Sequence, residues 1–277
     1  MPSTTMQVEG STCIVTGGGS GIGRALAEEF AAAGARVVVG DISAKSAGET
    51  ADRICAGGHV AVAAHADASS TSGISALIDL AHNEYGPVDI YVANAGVLGP
   101  PGLGIGEGDW DRAIAVNLSA HVRAAALLVP GWIRGGGGYF VSIASAAGLL
   151  THIGGAAYAT TKHAAVGFAE WLAITYGDEG IGVSCVCPMG VDTQLLNATR
   201  QSPDPTEQLA ALAIMNAAEL IPPERVARAT LAACRRGEFL VLPHPDVHEM
   251  YQKKSHDHDR WIDGMRRYQA SLTVRAH

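Results

Sequence analysis

The feature that most constrains the fold is a glycine-rich turn near the start of the chain, set between an apolar strand pattern and a helical pattern. The segments TCIVT, GGGSGIG and RALAEEF follow one another from Thr12 to Phe30. In such a unit, Gly17 permits the tight turn, Gly21 removes a side chain that would block a pyrophosphate, and Gly23 lets the helix lie close to the sheet. The phosphates would lie at the helix N-terminus, where free N–H groups and the dipole favour negative charge. The unit therefore predicts a site for an anionic dinucleotide.

The rest of the chain repeats the alternation of short β-rich runs and longer helical patterns. Runs such as Val37 to Val39 are apolar at every position, as expected of parallel strands that helices cover on both faces. The pattern predicts an α/β chain with a Rossmann-type doubly wound fold and a seven-stranded parallel sheet. The predicted strands are Thr12–Thr16, Arg36–Gly40, Val60–Ala64, Ile90–Asn94, Gly138–Ser142, Gly182–Cys187 and Phe239–Leu242.

Residues 1–243 are predicted to form one dinucleotide-binding catalytic domain, and residues 244–277 a partly helical C-terminal tail. In the tail, an apolar stripe at spacings of four, three and four predicts an amphipathic helix that packs on the body or on a neighbouring subunit. The stripe is Trp261, Met265, Tyr268 and Leu272. The tail histidines lack a metal-binding framework, so they are predicted to be solvated and no metal site is expected. These histidines are His244, His248, His256 and His258.

Composition excludes several classes of function. The formal net charge of −8 and the lack of a long basic run argue against nucleic acid, whose phosphates would be repelled. Five cysteines form an odd set, and Cys185 and Cys187 are expected to point to opposite faces of a strand, so neither a disulfide framework nor a zinc site is predicted. With no signal peptide and no apolar run of about 18 residues, we expect a soluble, cytoplasmic protein without a membrane partner.

The acidic residue Asp41 bears on which dinucleotide binds. It ends the second predicted strand, 18 residues beyond Gly23, close to the spacing of about 20 expected of a carboxylate that accepts hydrogen bonds from an adenosine ribose. Such a carboxylate would repel the 2′-phosphate of NADP, so the sequence favours NAD. Two alternatives stay open: Asp41 as a simple cap or turn residue, and Lys45 as a partner for a 2′-phosphate.

Tyr158 and Lys162 are the candidate chemical pair. They lie four residues apart in a helical stretch, so both side chains share one helix face. A free phenol has a pKa near 10, and a neighbouring ammonium is expected to favour its ionised form. An ordinary amphipathic helix would explain this pair alone, but Ser145 lies 13 residues upstream at the end of a strand. Ser142 is the second candidate serine.

Taken together, the motifs resemble the short-chain dehydrogenase/reductase family over about residues 8 to 243. The resemblance rests on TGGGSGIG from Thr16, Asn94-Ala95-Gly96, Ser145, and YATTK from Tyr158 to Lys162. It implies that Tyr158 takes the alcohol proton while hydride passes to the nicotinamide, whose positive charge assists, that Ser145 hydrogen-bonds the substrate oxygen and that Lys162 also holds the ribose. It further implies that Asn117 anchors a water in a proton relay behind the lysine.

The resemblance also supplies the expected cofactor contacts. Asp67 resembles the residue that contacts adenine, Asn94 one that steadies the central sheet, and Val191 and Thr193 those near the nicotinamide carboxamide. Met189 replaces the first glycine of the family's PGxVxT loop, which bears on the local backbone path. The full set of expected cofactor-binding residues is Gly17, Gly19, Ser20, Gly21, Ile22, Gly23, Asp41, Ile42, Asp67, Ala68, Asn94, Ala95, Gly96, Tyr158, Lys162, Pro188, Gly190, Val191 and Thr193.

The predicted function is an NAD-dependent oxidoreductase that interconverts a secondary alcohol and a ketone. The segments expected to hold the substrate, residues 97–106, 149–155 and 194–220, are rich in apolar side chains, which favours a moderately apolar substrate. The alternatives are a sugar, steroid or cyclic diol dehydrogenase of the same family and a non-catalytic NAD sensor. His152 is interpreted either as a contact for a polar substrate group or as a satisfied loop histidine. The resemblance also implies a homo-oligomer, a tetramer or a dimer.

Overall fold

Seven parallel strands form one sheet in the computed structural model, which describes residues 4–99, 101–103 and 106–275. The strand order is β3-β2-β1-β4-β5-β6-β7, so the chain winds outward from β1 in one direction and from β4 in the other. The predicted doubly wound fold is confirmed. The strands are β1 (Thr12–Thr16), β2 (Arg36–Asp41), β3 (Ala61–His65), β4 (Ile90–Ala93), β5 (Gly138–Ile143), β6 (Ile181–Val186) and β7 (Leu240–Val241).

Helices connect the strands and cover both faces of the sheet. They are α1 (Gly21–Ala32), α2 (Ala44–Ala56), α3 (Thr71–Glu84), α4 (Glu107–Ile114), α5 (Ala120–Gly135), α6 (Ala147–Leu150), α7 (Ala156–Tyr176), α8 (Gln194–Arg200), α9 (Pro205–Ala217), α10 (Pro223–Arg236), α11 (Asp246–His256) and α12 (His258–Arg275). A π-helical turn at Ala115–Ser119 joins α4 to α5. Helix starts follow local chemistry: the Ser43 hydroxyl caps α2 and the Asp204 carboxylate caps α9, satisfying N–H groups that the helix leaves free.

Each face of the sheet has its own apolar core. On one face, α1, α2 and α10 pack on alternate strand residues such as Val15 and Val39. On the other face, α3, α5 and α7 pack on the intervening residues, such as Ile14 and Val38. Because both faces are covered, the strands are apolar at every position, which is why β2 was recognisable as a run of valines.

The expectation for the cysteine pair was wrong. Cys185 and Cys187 lie on the same side, with their Sγ atoms 3.9 Å apart, because side chains two residues apart on a strand share a face. Both thiols are free and buried. Among the described residues there is no group of three or more His, Cys, Asp or Glu side chains arranged to hold a metal ion.

One helix is long and apolar enough to be compared with a membrane-spanning helix. The continuous helix Gly108–Gly135, with a best window of mean hydropathy 1.4, is long and apolar enough to cross a membrane by length and composition alone. That window is 44% buried inside the protein, and Ala124, Leu128 and Trp132 belong to the core under the sheet. Helices in the core of a globular protein meet the same criteria of length and composition. The burial of this helix under the sheet therefore accounts for its apolar composition.

The tail folds back onto the body as α11 and α12. The Lys254 ammonium on α11 donates to the Leu149 carbonyl at 2.6 Å, and the Tyr268 hydroxyl on α12 donates to the Ala213 carbonyl at 2.9 Å. Leu272 is 2% exposed. The stripe on α12 therefore packs on the body of its own chain, which is one of the two placements that its spacing predicted.

Candidate active site

A cavity of about 1300 Å³ opens at the carboxyl ends of the strands. It lies where β1 and β4 are neighbours and the connections leave in opposite directions, which is the place where doubly wound sheets bind ligands. It is lined at one end by the glycine turn and Asp41, in the middle by Ser145 and Tyr158, and at the other end by apolar side chains.

Most of the predicted site residues lie in the wall of this cavity. The predicted catalytic residues Ser145, Tyr158 and Lys162 line it, and so do all predicted cofactor-binding residues except Gly19. Those residues are Gly17, Ser20, Gly21, Ile22, Gly23, Asp41, Ile42, Asp67, Ala68, Asn94, Ala95, Gly96, Tyr158, Lys162, Pro188, Gly190, Val191 and Thr193. Gly19 and Asn117 lie just behind the wall, where they hold neighbouring groups in place.

The glycine turn has the shape that a pyrophosphate needs. Gly17 has φ +62°, and a Cβ on Gly23 would come within 2.0 Å of the Gly17 carbonyl oxygen. A Cβ on Gly21 would lie 3.3 Å from Thr193 on the opposite wall of the cavity. Helix α1 begins directly after the turn with no side-chain cap and no acidic residue in its first turn. Its N-terminal N–H groups and dipole are thus available to an anion, so these residues fit a dinucleotide.

Asp41 combines two of the interpretations that its position allowed. Its carboxylate accepts hydrogen bonds from the Gly19 N–H at 2.9 Å and the Ser43 N–H at 2.8 Å, so it braces the turn. It also lines the cavity at the end of β2. Lys45, the alternative partner for a 2′-phosphate, is 85% exposed and faces Glu49, outside the cavity lining. Of these two charged side chains, Asp41 therefore lies in the cavity wall and Lys45 does not.

Asn94 and Thr16 join the two central strands. The Asn94 side chain donates to the carbonyl oxygens of Thr16 at 2.9 Å and Gly17 at 3.2 Å. The Thr16 hydroxyl in turn accepts from the Asn94 N–H at 3.0 Å and the Ala95 N–H at 3.2 Å. This network fixes the turn to the end of β4. Thr16 was not singled out from the sequence, because a buried strand threonine carries no motif of its own.

Ser145, Tyr158 and Lys162 come together beside the end of β5. The Lys162 Nζ donates to the Ile143 carbonyl at 2.9 Å and lies 5.7 Å from the centroid of the Tyr158 ring. Ser145 is 8% exposed and its Oγ accepts from the Ala147 N–H. Ser142, the competing serine, is fully buried and bonds His121 at 3.0 Å instead. The structure therefore presents Ser145 to the cavity and directs Ser142 away from it.

Burial dominates the charge states of this group. It raises the pKa of Tyr158, and a hydrogen bond with Ser145 opposes that rise. Burial also lowers the pKa of Lys162 to about 8. The expected lowering of the Tyr158 pKa by the neighbouring ammonium is not found: the pKa is raised, desolvation is the largest cause, and Lys162 is not among the groups that shift it. At neutral pH the phenol is protonated and Lys162 is largely charged.

Asn117 sits behind the lysine in the π-helical turn. Its side chain is fully buried, accepts from the Val97 N–H at 2.9 Å and donates to the Val97 carbonyl at 2.8 Å and to Thr161 Oγ1 at 3.0 Å. It thus clamps the segment after β4 onto α7, which carries Tyr158. The side chain therefore holds the site together through both amide hydrogens and one hydrogen bond to its oxygen.

The loop after β6 has an unforeseen brace. The Met189 N–H donates to His244 Nδ1 at 3.2 Å, and His244 Nε2 lies 3.0 Å from the Gly190 carbonyl oxygen. The replacement of glycine by Met189 is accommodated without a positive φ, since Thr151 is the sole non-glycine with positive φ in the described chain. The expectation that His244 is solvated was wrong: it is 3% exposed. The other three tail histidines are exposed.

The tail also contributes to the cavity, which the sequence analysis did not anticipate. The tail residues Met250, Lys253, Trp261, Met265 and Tyr268 line the end away from Asp41. They face residues of the segments predicted to hold the substrate. Those residues are Val97, Leu98, Leu150, Thr151, His152, Ile153, Gln194, Leu195, Leu196, Thr199, Ala213, Ile214, Asn216 and Ala217. Pro100, Gly104 and Ile105 of the first segment lie outside the described residues. Most of the side chains at this end are apolar.

A protein-family model described as short chain dehydrogenase matches residues 11–204. The chain therefore belongs to the short-chain dehydrogenase family, as the motifs from Thr16 to Lys162 predicted. The matched region contains the glycine turn, Asp41, Ser145, Tyr158 and the loop after β6, whereas α11 and α12 lie beyond it.

Individual relatives and solved structures agree with this assignment. The chain is similar to 7alpha-hydroxysteroid dehydrogenase of Escherichia coli K12, with 35% identity over 196 residues, 71% of this chain and 77% of the relative. A short-chain dehydrogenase/reductase from Burkholderia phymatum in complex with NAD superposes with a TM-score of 0.83 at 27% identity, covering 92% and 96% of the two chains. A 7alpha-hydroxysteroid dehydrogenase complexed with NADH and 7-oxo glycochenodeoxycholic acid gives 0.77 at 31% identity, covering 85% and 93%.

Proposed function

We propose that this protein is an NAD-dependent oxidoreductase that interconverts a secondary alcohol and a ketone on a moderately apolar skeleton. The observation that carries the proposal is one cavity whose wall holds Ser145, Tyr158 and Lys162 together with Asp41 and the glycine turn. A protein that only sensed the dinucleotide would need the turn and Asp41, but it would have no use for a phenol, a hydroxyl and an ammonium around one point of the cavity.

The chain's own groups perform the proton chemistry. The Tyr158 hydroxyl gives its proton to the ketone oxygen and becomes a phenolate, and in the reverse direction the phenolate takes the proton of the alcohol, while Ser145 hydrogen-bonds the same oxygen. Lys162 supplies a positive charge beside the phenol that offsets part of the penalty of burying a phenolate. When bound, NAD supplies the nicotinamide carbon that accepts or donates the hydride.

Initial rates with NAD and with NADP over a panel of secondary alcohols test the proposal. In the variant Tyr158→Phe we expect kcat to fall by about 10²- to 10⁴-fold, the range for loss of a general acid or base, with NAD affinity kept. Tyr85→Phe is the matched control, because Tyr85 lies by Arg36 outside the cavity lining. A Tyr158→Phe variant as active as wild type would refute the assigned acid, and NAD binding without turnover of any alcohol would favour the sensor.

The preference for NAD rests on Asp41. We expect wild type to turn over with NAD alone and Asp41→Ala to gain activity with NADP, because the carboxylate that repels a 2′-phosphate is gone. Glu49→Ala tests whether any nearby carboxylate has the same effect, since Glu49 lies outside the cavity lining. A wild-type preference for NADP would overturn this part of the proposal.

A hydroxysteroid is the second candidate for the substrate class. It is favoured by the cavity volume of about 1300 Å³, by the apolar side chains at the end away from Asp41 and by the similarity to 7alpha-hydroxysteroid dehydrogenase. A rigid, multi-ring skeleton would pack against Trp261 and Met265 from the tail and Leu150 and Ile153 from the segment after β5. Adding a 7α-hydroxysteroid to the alcohol panel separates the two candidates, since a small-alcohol enzyme would show no higher kcat/KM for it.

We further propose that the protein forms a homo-oligomer. On α7, Trp171 is 51% exposed and Ile174 is 84% exposed, and large apolar side chains at such exposure favour burial against a partner. Light scattering of wild type and of Ile174→Glu tests this. A wild-type monomer, or an assembly that Ile174→Glu leaves intact, would count against this face.

A further inference from the structure

The segment that follows Ser145 contains a residue with a strained backbone, next in sequence to a side chain that contacts the proposed acid Tyr158. Thr151 has φ 81° and ψ 169°, a backbone region that is essentially reserved for glycine. It is the sole non-glycine residue with positive φ in the described chain. Strain of this kind persists only where the surroundings enforce it, and it is concentrated at sites of ligand binding and catalysis.

The next residue, His152, is held against the catalytic phenol. Its ring centroid lies 5.4 Å from that of Tyr158 with an interplanar angle of 66°, an edge-to-face contact that fixes the two rings relative to each other. Gly155 makes room for it, because a Cβ there would lie 3.0 Å from the imidazole Cδ2. The backbone is anchored close by, where the Gly102 N–H donates to the Gly154 carbonyl at 2.7 Å.

The imidazole has polar capacity that the protein does not use. His152 lines the cavity, and neither of its ring nitrogens has a hydrogen-bond partner in the part of the chain that the structure describes. Burial lowers its pKa to about 4, so the ring is neutral at physiological pH and offers one N–H donor and one lone pair. Of the two interpretations of His152 from the sequence, a contact with a polar substrate group is the one that these observations favour.

We propose that His152 is a specificity-determining residue that hydrogen-bonds a second oxygen of the substrate, on a carbon near the one that reacts. The inference rests on the proposed alcohol–ketone chemistry, because Tyr158 holds the reacting oxygen. With the two rings 5.4 Å apart and hydrogen bonds of about 2.7–3.2 Å, two oxygens of one small ring can reach both side chains. The substrate class is then a cyclic diol or hydroxyketone, alone or as part of a larger apolar skeleton.

Paired probes test this inference by rate. Cyclohexanol is compared with the 1,2- and 1,3-cyclohexanediols in the wild type and in the variants His152→Phe and His152→Gln. Phe keeps the ring contact with Tyr158 and removes both nitrogens, whereas Gln keeps a donor and an acceptor. We expect the diol-to-monool ratio of kcat/KM to fall roughly tenfold in the Phe variant, through KM rather than kcat, which matches the loss of one hydrogen bond, and to recover in part in the Gln variant.

His248→Phe is the matched control, because His248 is exposed on α11 and outside the cavity lining; it is expected to leave the ratio unchanged. An unchanged ratio in the His152→Phe variant, or an equal fall in the control, would overturn the inference.

A spectroscopic arm separates failure of this inference from failure of the proposed function. In NAD-loaded protein with ¹⁵N-labelled histidine, the His152 signals are assigned by their loss in the His152→Phe variant. We expect the diols to shift these signals and cyclohexanol to leave them in place. Shifts without any turnover would support the role of His152 and count against the proposed reaction. If none of the diols moves the signals, the inference is wrong whatever the rates.

Discussion

Replacing the strained Thr151 by glycine is expected to stabilise the protein, which is the reverse of the usual effect of glycine. At φ 81° and ψ 169° a side chain costs on the order of 1–3 kcal/mol. Glycine removes this cost but gives the unfolded chain more freedom, which is worth about 0.4–1 kcal/mol. Thr151 is exposed, so little burial is lost. The difference of these two ranges is about 0–2.6 kcal/mol, so the net expectation is a gain in the free energy of unfolding centred at about 1.3 kcal/mol.

The comparison with alanine isolates the strain. An alanine in place of Thr151 keeps the Cβ that the backbone conformation disfavours, so Thr151→Ala is expected to be about as stable as wild type and less stable than Thr151→Gly. The assay is denaturant unfolding monitored by fluorescence, with the slope checked so that a change in midpoint reports stability. The gain corresponds to about 2–4 °C in Tm per kcal/mol for a domain of this size.

The same substitution is expected to weaken recognition of the second substrate oxygen. A glycine before His152 loosens the segment that holds the imidazole against Tyr158, so the diol preference should fall while the protein becomes more stable. If Thr151→Gly proves less stable than Thr151→Ala, the strain at this residue is not real and the reasoning fails. If the diol preference is unaffected, the strain does not serve to position His152.

Four further outcomes are expected. Gly23→Ala should destabilise the protein and abolish NAD binding, because its Cβ would lie 2.0 Å from the Gly17 carbonyl oxygen. Gly48→Ala in α2 is the control: its Cβ would meet nothing within 4 Å, so it should stabilise the protein by about 0.5–1 kcal/mol. Equal shifts in Tm for the two variants would refute this. Burial lowers the pKa of Lys162 from 10.5 to about 8, so between pH 8 and pH 10.5 the unfolded chain binds more protons than the folded one. The free energy of unfolding of wild type, relative to that of Lys162→Met, should therefore rise with pH over this interval. If denaturation curves show a difference between the two proteins that does not change with pH, this expectation is wrong. Because the pKa of Tyr158 is raised, alcohol oxidation should accelerate as the pH is increased, and a rate–pH profile level from pH 7 to 10 would count against the phenolate. A chain ending at His258 should have a lower Tm and lower solubility, because it exposes the apolar surface of the body that Leu272, itself 2% exposed, covers. An unchanged Tm and an unchanged assembly state would show that α12 is dispensable.

The extent of sequence-based prediction differed between the two ends of the cavity. The dinucleotide end was predictable because its geometry is local: the turn from Gly17 to Gly23 lies within one strand–turn–helix unit, and Asp41 follows at the end of the next strand. The serine, tyrosine and lysine were predictable as a set because helix periodicity places Tyr158 and Lys162 on one face and because their order matched a known family. These are properties of neighbouring residues, which the sequence states directly.

The substrate end was not predictable because it is assembled from distant segments. Nothing in the sequence near Met189 indicates that His244 braces its loop from 55 residues away, and the stripe from Trp261 to Leu272 predicted a buried helix face without saying what it faces. The expectation for Cys185 and Cys187 was wrong for a different reason: residues two apart on a strand share a face, and the sequence alone was enough to predict this.

What the sequence by itself determined is therefore the order of strands and helices, the family and the residues proposed for proton transfer, because periodicity and motif spacing are properties of the chain as written. What only the tertiary structure decided is which side chains line the end of the cavity proposed for the substrate, and how burial shifts the pKa values of the groups beside it. The packing of α11 and α12 brings Trp261 and Met265 to the cavity, the fold places the His152 ring against Tyr158, and burial shifts the pKa values of Tyr158 and Lys162. Each of these depends on the surroundings of a residue in space, since desolvation and steric contact act between groups that are remote along the chain.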